Sequence, residues 1–516
     1  MTRKTLGAAL LAAIVLIQPA FAQQKEAINL TLEESIAKAL KNNLNIAVEM
    51  YTPQLAEHAL GKAREVFLPS FQASYFNNRQ ENPSYWWISG AGTNWSKLNT
   101  YNVSVVETIP TGGNFTLSLS NYKSDTNQPY QLLNPRYGST LQLDFTQPLL
   151  KNFGPKVARR GILEAENNLD ISNTELRSTM MDTVYAVQEA YWNLVFAIEN
   201  FKVKQQSLDL GRDLVAKNKK EVEFGQLAPL DLLDAEAAVA QRDADLIQAE
   251  FLITRSEEVF KTILNLAAEG DERSKKVVPV DQPAVQAMAV SINDAFKTAL
   301  EKRPDLKIAQ RTIETKELGV AVASNQVLPA LDLTLSYWSP GISGDRLIYA
   351  GDNVFAGVVV GTVPGKSSNA VRDAFKLLYN NWNVGLTLSI PVSALTTRSD
   401  LGYARADLGQ SQVRMKAMEQ QAALEVSDAV RTIEANAKRV DAYRLARELA
   451  EKSLDAEVKK LAVGLSTNYF ILDFQEKLAN ARSAELKAKI DYVLSVERLE
   501  KSMGVNLEKR GFKITG

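Results

Sequence analysis

Apolar residues recur along this chain with two different periods, and the changes of period divide it into elements. Val184, Val187, Tyr191, Leu194, Ile198 and Phe201 are spaced alternately by 3 and 4, as are Val426, Val430, Ile433, Ala437 and Val440. A stripe of period 3.5 predicts helices that bury a seam against a neighbouring helix, as in a coiled coil. No proline lies between Pro155 and Pro229 or after Pro391, and these stretches are rich in Ala, Leu, Glu, Lys and Gln, all good helix formers. Long helices are therefore expected over 157–224 and 397–462, the first roughly 100 Å long at 1.5 Å per residue. Gly225 and Gly464 mark their ends, and alanine-dense helices are expected to return over 229–266 and 467–503.

Elsewhere the period is 2. Phe115, Leu117 and Leu119 alternate with Thr116, Ser118 and Ser120, and Leu141, Leu143 and Phe145 alternate with Gln142, Asp144 and Thr146. Trp382, Val384, Leu386, Leu388 and Ile390 share one side, and "LDLTLSYW" from Leu331 repeats the pattern. Strands are expected within about 69–147, at 330–338 and at 381–391. Segments of about 9 to 11 residues fit the apolar band of an outer membrane. Tyr75, Tyr101, Tyr122, Trp338 and Trp382 are expected toward one rim and Phe71, Phe115 and Phe145 toward the other. Long polar loops are expected at the first rim, over 78–99 and 339–380. A soluble β-sandwich carries the same alternation, but the aromatic rims and long loops favour a membrane barrel. Four to six such strands in one chain are too few to close a barrel, and an open edge cannot face lipid. Several copies must share it.

The elements occur twice. "ALKNNLNIAVE" at 39 resembles "ALEKRPDLKIAQ" at 299, and "FLPS" at 67 resembles "VLPA" at 327, both at an offset of 260. "FGQLAPLDLLDAE" and "VGLSTNYFILDFQ" share Gly, Leu and Asp at an offset of 239, and Pro148 aligns with Pro391. The reading is a signal segment at 1–22, a first repeat at 23–266, a joining segment at 267–290, a second repeat at 291–506 and a tail at 507–516. Each repeat holds a helix, strands, a very long helix, a glycine turn and a returning helix.

Composition narrows the function classes. Arg3 and Lys4, an apolar run from Leu6 to Ile17 and Ala20-Phe21-Ala22 look like a cleaved secretory signal. Lys and Arg total 59 against 60 Asp and Glu, a balance that gives no sign of nucleic-acid binding. Cysteine is absent and the single histidine, His58, sits in a helical stretch, so there is no material for thiolate or zinc sites or a His-dependent triad. Composition leaves carboxylate-only catalysis open, as in a periplasmic hydrolase, but there is no Gly-rich phosphate loop or His/Cys cluster to support it, so no metal, cofactor or enzymatic activity is expected. No later run of eighteen apolar residues predicts a membrane-spanning helix.

With the signal segment, the "NLNIAVE" and "RPDLKIA" openings, the "LP" before each strand region, "FTQPLL" and the two Gly-Leu-Asp turns in order, the chain resembles the TolC-like outer-membrane efflux proteins. The resemblance covers nearly all of the mature chain. It implies a mixed α and β fold in which a long antiparallel α-helical coiled-coil barrel continues a transmembrane β-barrel closed only in the trimer. It implies four strands per chain. Here "YNVSVVETIPTGGNFTLSLSNY", about 100–122, is an additional hairpin that either joins the wall or folds apart from it.

The resemblance also implies a passive, tip-gated outer-membrane channel-tunnel, the exit duct of a tripartite efflux or type I secretion system. Its partners are a periplasmic adaptor, an inner-membrane pump and outer-membrane lipid. Asp473 matches an acidic ring at the constriction, nine residues beyond Gly464. Tyr469 matches an apolar ring position, and Phe470 stands where one branch has a second aspartate. Asp231 matches an acceptor that locks the tip in some members, but the positions of its Arg and Tyr partners hold Ser466 and Leu461. Gly225, Gln226, Leu227 and Ala228, with Val463, Gly464, Leu465 and Ser466, match the tips that contact the adaptor. On the residues alone, Ser466, Thr467 or Asn468 is expected to cap the returning helix. A passive structural coiled coil of the envelope would use the same long helices, but it has no need of the amphipathic strands.

Overall fold

In the computed structural model, described residues are 27–85, 92–266, 275–286, 288–393 and 395–511. The proposed signal segment, part of the joining segment and the end of the tail lie outside them. The first half runs β1 (Ala27–Leu30), α1 (Leu32–Asn42), α2 (Leu44–Glu49), α3 (Tyr51–Arg64), β2 (Ser70–Pro83), β3 (Thr93–Thr108), β4 (Asn114–Thr126), β5 (Leu133–Pro148), α4 (Pro155–Ala158), the 64-residue α5 (Arg160–Glu223) and α6 (Pro229–Ile263). After β6 (Lys276–Pro279) come α7 (Ile292–Lys302), α8 (Pro304–Gln326), β7 (Ala330–Tyr349), β8 (Val359–Val363), α9 (Ser367–Phe375), β9 (Asn381–Ser389), the 68-residue α10 (Leu395–Ala462), α11 (Asn468–Ser502) and α12 (Asn506–Lys509).

By internal contacts the chain forms two compact units. One comprises the residues through Leu44, Thr183–Met288 and Arg431–Arg498; the other comprises Asn45–Asp182, Ala289–Val430 and the residues from Leu499 onward. In the first, the helical seams are buried: Val184, Val187, Tyr191 and Leu194 are each 0 % exposed. Tyr191 also carries polar structure. Its hydroxyl donates to Asp281 Oδ2 at 2.9 Å and accepts from the amides of Asp281 and Val280 at 3.0 and 3.2 Å. This ties α5 to the segment after β6, which pairs in parallel with β1. Burial is the largest cause that raises the phenol pKa, to about 12, so it stays protonated and able to donate at neutral pH.

Helix starts in the two halves use the same chemistry. Thr31 Oγ1 accepts from the Glu34 amide at 3.2 Å while the Glu34 carboxylate accepts from the Thr31 amide at 2.9 Å, a capping box. Ser291 Oγ accepts from the Asp294 amide at 3.4 Å.

The second unit holds a seven-stranded sheet in the order β2-β3-β4-β5-β7, with β8 and β9 both paired to the free side of β7. The additional hairpin is part of this sheet: β3 and β4 lie between β2 and β5, paired throughout. Among the described residues, six strands of nine residues or more therefore stand where the resemblance implies four. Strands are also longer than expected, 13 to 20 residues for β2 to β5 and β7. The expected loop at 78–99 is largely ladder, with Asn78 opposite Leu98 and Pro83 opposite Thr93. The expected loop at 339–380 contains the far half of β7, then β8 and α9. The reason is that apolar alternation marks only the part of a strand that faces an apolar medium, whereas backbone pairing continues through polar side chains.

Candidate functional site

Across an antiparallel ladder, directly opposite residues point to the same face, so the register sorts the sheet. One face carries Phe71 and Tyr75 of β2, Val103 and Val105 of β3, Leu117 and Leu119 of β4, Leu141 and Leu143 of β5, Leu335 and Tyr337 of β7, and Val384 and Trp382 of β9. The opposite face is polar and hydrogen-bonded. Ser336 donates to Asp144 Oδ1 at 2.7 Å, Gln142 Nε2 donates to the same carboxylate at 2.9 Å, and Ser120 donates to Asn102 Oδ1 at 2.7 Å. Tyr75 and Tyr101 stack on the apolar face at 4.9 Å. Tyr122 and Trp338 do not join that girdle. Their partners, Gly138 and Gln142, belong to the polar face, because each stands one residue out of phase with the apolar set. Tyr337 takes the girdle position beside Trp382.

The apolar band crosses the strands diagonally. The register row of Ala73, at the centre of the band on β2, passes through Val103, Leu119, Leu141 and Ser339. That row meets β9 about five residues before the centre of its own band, Trp382–Leu388. Five residues at ~3.3 Å over five strand steps of ~4.8 Å give a slant of about 35°. That is the tilt of strands whose outer band lies flat in a membrane. Among the described residues no helix is long and apolar enough to cross a membrane, and no group of His, Cys, Asp or Glu could hold a metal ion.

The helix reversals belong to the other unit. Gly225 and Gly464 have φ of 73° and 75°, a left-handed conformation that costs a side-chain-bearing residue roughly 1–2 kcal/mol. Gln226 N donates to Glu221 O at 2.8 Å and Leu465 N to Lys460 O at 2.9 Å, closing a Schellman motif at each end. Gly225, Gln226, Ala228, Val463, Gly464 and Leu465 are exposed, whereas Leu227 and Ser466 are half-buried. Ser466 does not cap α11, because its hydroxyl donates to Glu457 Oε1 at 2.6 Å. Asn468 is already the first residue of the helix, and Thr467 O accepts its first bond, from Ile471 N at 3.4 Å.

Tyr469 and Phe470 are exposed, edge to face at 5.7 Å. Behind them Ile471 and Leu472 pack on Leu214 and Ala235, which turns one side of α11 inward and leaves the aromatics outward. Asp473 is ion-paired with Lys477 at 2.6 Å, and with Tyr469, Asp234, Asp245 and Glu476 it lines a cleft of about 330 Å³. Asp231 lies in the first turn of α6, half-buried. These side chains share one end of the helical unit.

Arg242, on α6, was not singled out by the sequence. It is 7 % exposed and joins three helices: its Nη1 donates to Ser207 O of α5 at 2.8 Å and to Gln475 Oε1 of α11 at 3.1 Å, and its Nη2 donates to Leu472 O of α11 at 2.9 Å. Gly211 makes room for it, since a Cβ there would meet Arg242 Nη1 at 3.0 Å. Burial pushes the guanidinium pKa down, offset only in part by the charge of Glu476; arginine stays charged throughout the working range. The sequence carries no distinct signal for it, because α6 also holds Arg255 and only folding sets Gly211 of α5 against Arg242.

Comparison with known proteins places these features. A sequence profile of the outer membrane efflux protein family matches residues 35–266 and 295–505. The chain is 24 % identical over 353 residues to outer membrane protein TolC of Vibrio cholerae serotype O1, covering 67 % of this chain and 73 % of that one. It is 18 % identical over 496 residues to outer membrane efflux protein BepC of Brucella suis biovar 1, covering 96 % and 90 %. The fold matches the solved outer-membrane channel OprN with a TM-score of 0.65 at 17 % identity, over 92 % of this chain and 89 % of that one. An amphipathic sheet slanted for a membrane, paired long helices with glycine reversals and a profile match over both halves lead to one conclusion: the chain belongs to the outer membrane efflux protein family, transport channels of the outer membrane that extend into the periplasm.

Proposed function

We propose that the protein is the homotrimeric exit duct of a tripartite efflux or type I secretion system, a passive conduit gated at its periplasmic tip. The observation that carries this reading is the continuous apolar face with two open edges. Among the described residues β2 and β9 each have one neighbour, and unpaired backbone groups in lipid cost several kcal/mol each. Pairing β2 of one copy with β9 of the next removes both edges, and three copies make eighteen strands. Barrel diameter grows roughly linearly with strand number, so this barrel is about 1.5 times as wide as a twelve-stranded one. The offsets of 260 and 239 and the profile match over both halves support a duplicated plan in which each half contributes one long helix pair to the duct.

At the tip, Asp473 rings the constriction as a cation-favouring filter, partly compensated by Lys477, beside an aromatic ring of Tyr469 and Phe470. The lock that Asp231 serves elsewhere lacks its partners here, and Arg242 takes over by pinning α11 to α5 and α6. The purified protein should conduct in planar bilayers, while a structural coiled coil would leave them silent. In a salt gradient, Asp473→Asn should move the reversal potential toward zero; an unchanged reversal potential would remove Asp473 from the filter.

The reversal tips, small and exposed around Leu465 at 78 %, suit docking against a periplasmic adaptor that brings substrates from an inner-membrane pump. Leu465→Glu should weaken adaptor capture and export at least severalfold with conductance intact. Full adaptor binding by that variant would move the contact elsewhere.

A further inference from the structure

The apolar face of the sheet does not end in solvent above its aromatic row. On β5 and β7 it continues into small residues, Ser139, Ser339 and Gly341, on the same face as Leu141, Leu143 and Tyr337. Helix α9 packs on these two strands. Ser139, Ser339, Ala370 and Ala374 are at most 1 % exposed, and a Cβ on Gly341 would stand 1.9 Å from Ala370 O. The contact is therefore backbone against backbone, and it fixes α9 on the outward face, one to two rows beyond Tyr337 and Trp382. It sits at the end of the strands opposite the entries to α5 and α10, which follow Pro148 and β9.

The side of α9 and its tail away from the sheet is amphipathic. Phe375, Leu377, Leu378 and Tyr379 are 56, 41, 56 and 61 % exposed, next to Lys366, Arg372 and Lys376, all exposed. Asp373 is the one acid of this stretch and lies 3.7 Å from Arg372, leaving a net positive face. Aromatic and apolar side chains at headgroup depth, with cations beside them, are the pattern of a helix that lies in a membrane interface, and cations there attract anionic headgroups.

We propose that α9 and the segment to Tyr379 form a lateral lipid-binding platform in the outer leaflet: the apolar residues insert at headgroup depth and Lys366, Arg372 and Lys376 engage anionic lipid headgroups. This rests on the barrel reading above, because only then does the outward face meet lipid. The occupant follows from continuity with the apolar band, whose upper aromatic row borders the platform, and from the sign of the charge.

The chain has no cysteine, so single cysteines at Leu378, Leu386 and Leu465 can each carry a nitrobenzoxadiazole label on the full-length protein. The labelled proteins are reconstituted in phosphatidylcholine vesicles with or without phosphatidylglycerol, containing nitroxide quenchers at headgroup or deep acyl positions. Leu386, in the middle of the apolar band, should be quenched by the deep probe. Leu378 should be quenched at least twofold more by the headgroup probe than by the deep one, and more strongly with phosphatidylglycerol; Leu465 should not be quenched. The Arg372→Glu, Lys376→Glu double variant should abolish the phosphatidylglycerol effect at Leu378 and leave Leu386 unchanged. A quenched Leu386 with an unquenched Leu378 overturns the platform alone, and an unquenched Leu386 overturns the barrel reading with it. Equal quenching of Leu378 in both vesicle types overturns the role of the cations.

Discussion

Leu117→Arg should prevent assembly in the membrane, while Ser118→Arg, one residue along the same strand, should be tolerated. Leu117 lies between Val105 and Leu143 on the apolar face, and Ser118 lies between Ser104 and Gln142 on the polar one. Arginine on the lipid face near the midplane of a barrel costs about 2–4 kcal/mol, and in the proposed trimer three copies raise that to about 6–12 kcal/mol. This is of the order of a whole domain's stability, so the expected phenotype is loss of membrane-embedded, heat-modifiable oligomer rather than a small shift in melting. Ser118 lies on the polar face, which the proposed barrel turns toward its water-filled lumen, where a charge stays hydrated. The comparison is the amount of each variant that resists extraction from envelopes without detergent and runs as an oligomer on unheated gels. If the two variants assemble equally well, the assignment of the two faces is wrong.

In the proposed tip-gated duct, Arg242→Ala should leave the channel open. Hydrogen bonds to charged groups are worth about 1.5–3 kcal/mol each, and this side chain makes three, two of them to α11. Truncation also uncovers the Leu472 carbonyl beside the Ile471 and Leu472 packing that holds the first turns of α11. A loss of about 3 kcal/mol from the closed state shifts a closed-to-open equilibrium by about a hundredfold. Single-channel recordings should show a larger mean conductance and fewer closures, and cells should admit bulky antibiotics that the parent excludes. Arg242→Lys should rescue little, because an ammonium cannot place donors on Ser207, Leu472 and Gln475 together. Parental gating in Arg242→Ala would assign closure to other contacts, Glu457 with Ser466 foremost.

Much of this architecture follows from the order of residues alone. The 3.5-residue seams place Val184, Val187, Tyr191 and Leu194 in the core. The two-residue alternation separates Leu117 from Ser118, and the glycines at 225 and 464 mark the chain reversals. These are local periodicities and local steric needs, so they survive without knowledge of what packs against them. The register was not legible, because which residue of β3 faces which of β4 depends on backbone pairing between distant segments. With it went the diagonal slant of the apolar band, the misassignment of Tyr122 and Trp338, and the fate of the additional hairpin, which only its pairing on both sides settles. Arg242 and α9 were hidden for a related reason. An arginine in an alanine-rich helix and a nine-residue helix inside a polar stretch look ordinary until folding sets Gly211 against one and Gly341 against the other, and glycine, which has no side chain, leaves no trace in a hydrophobic pattern.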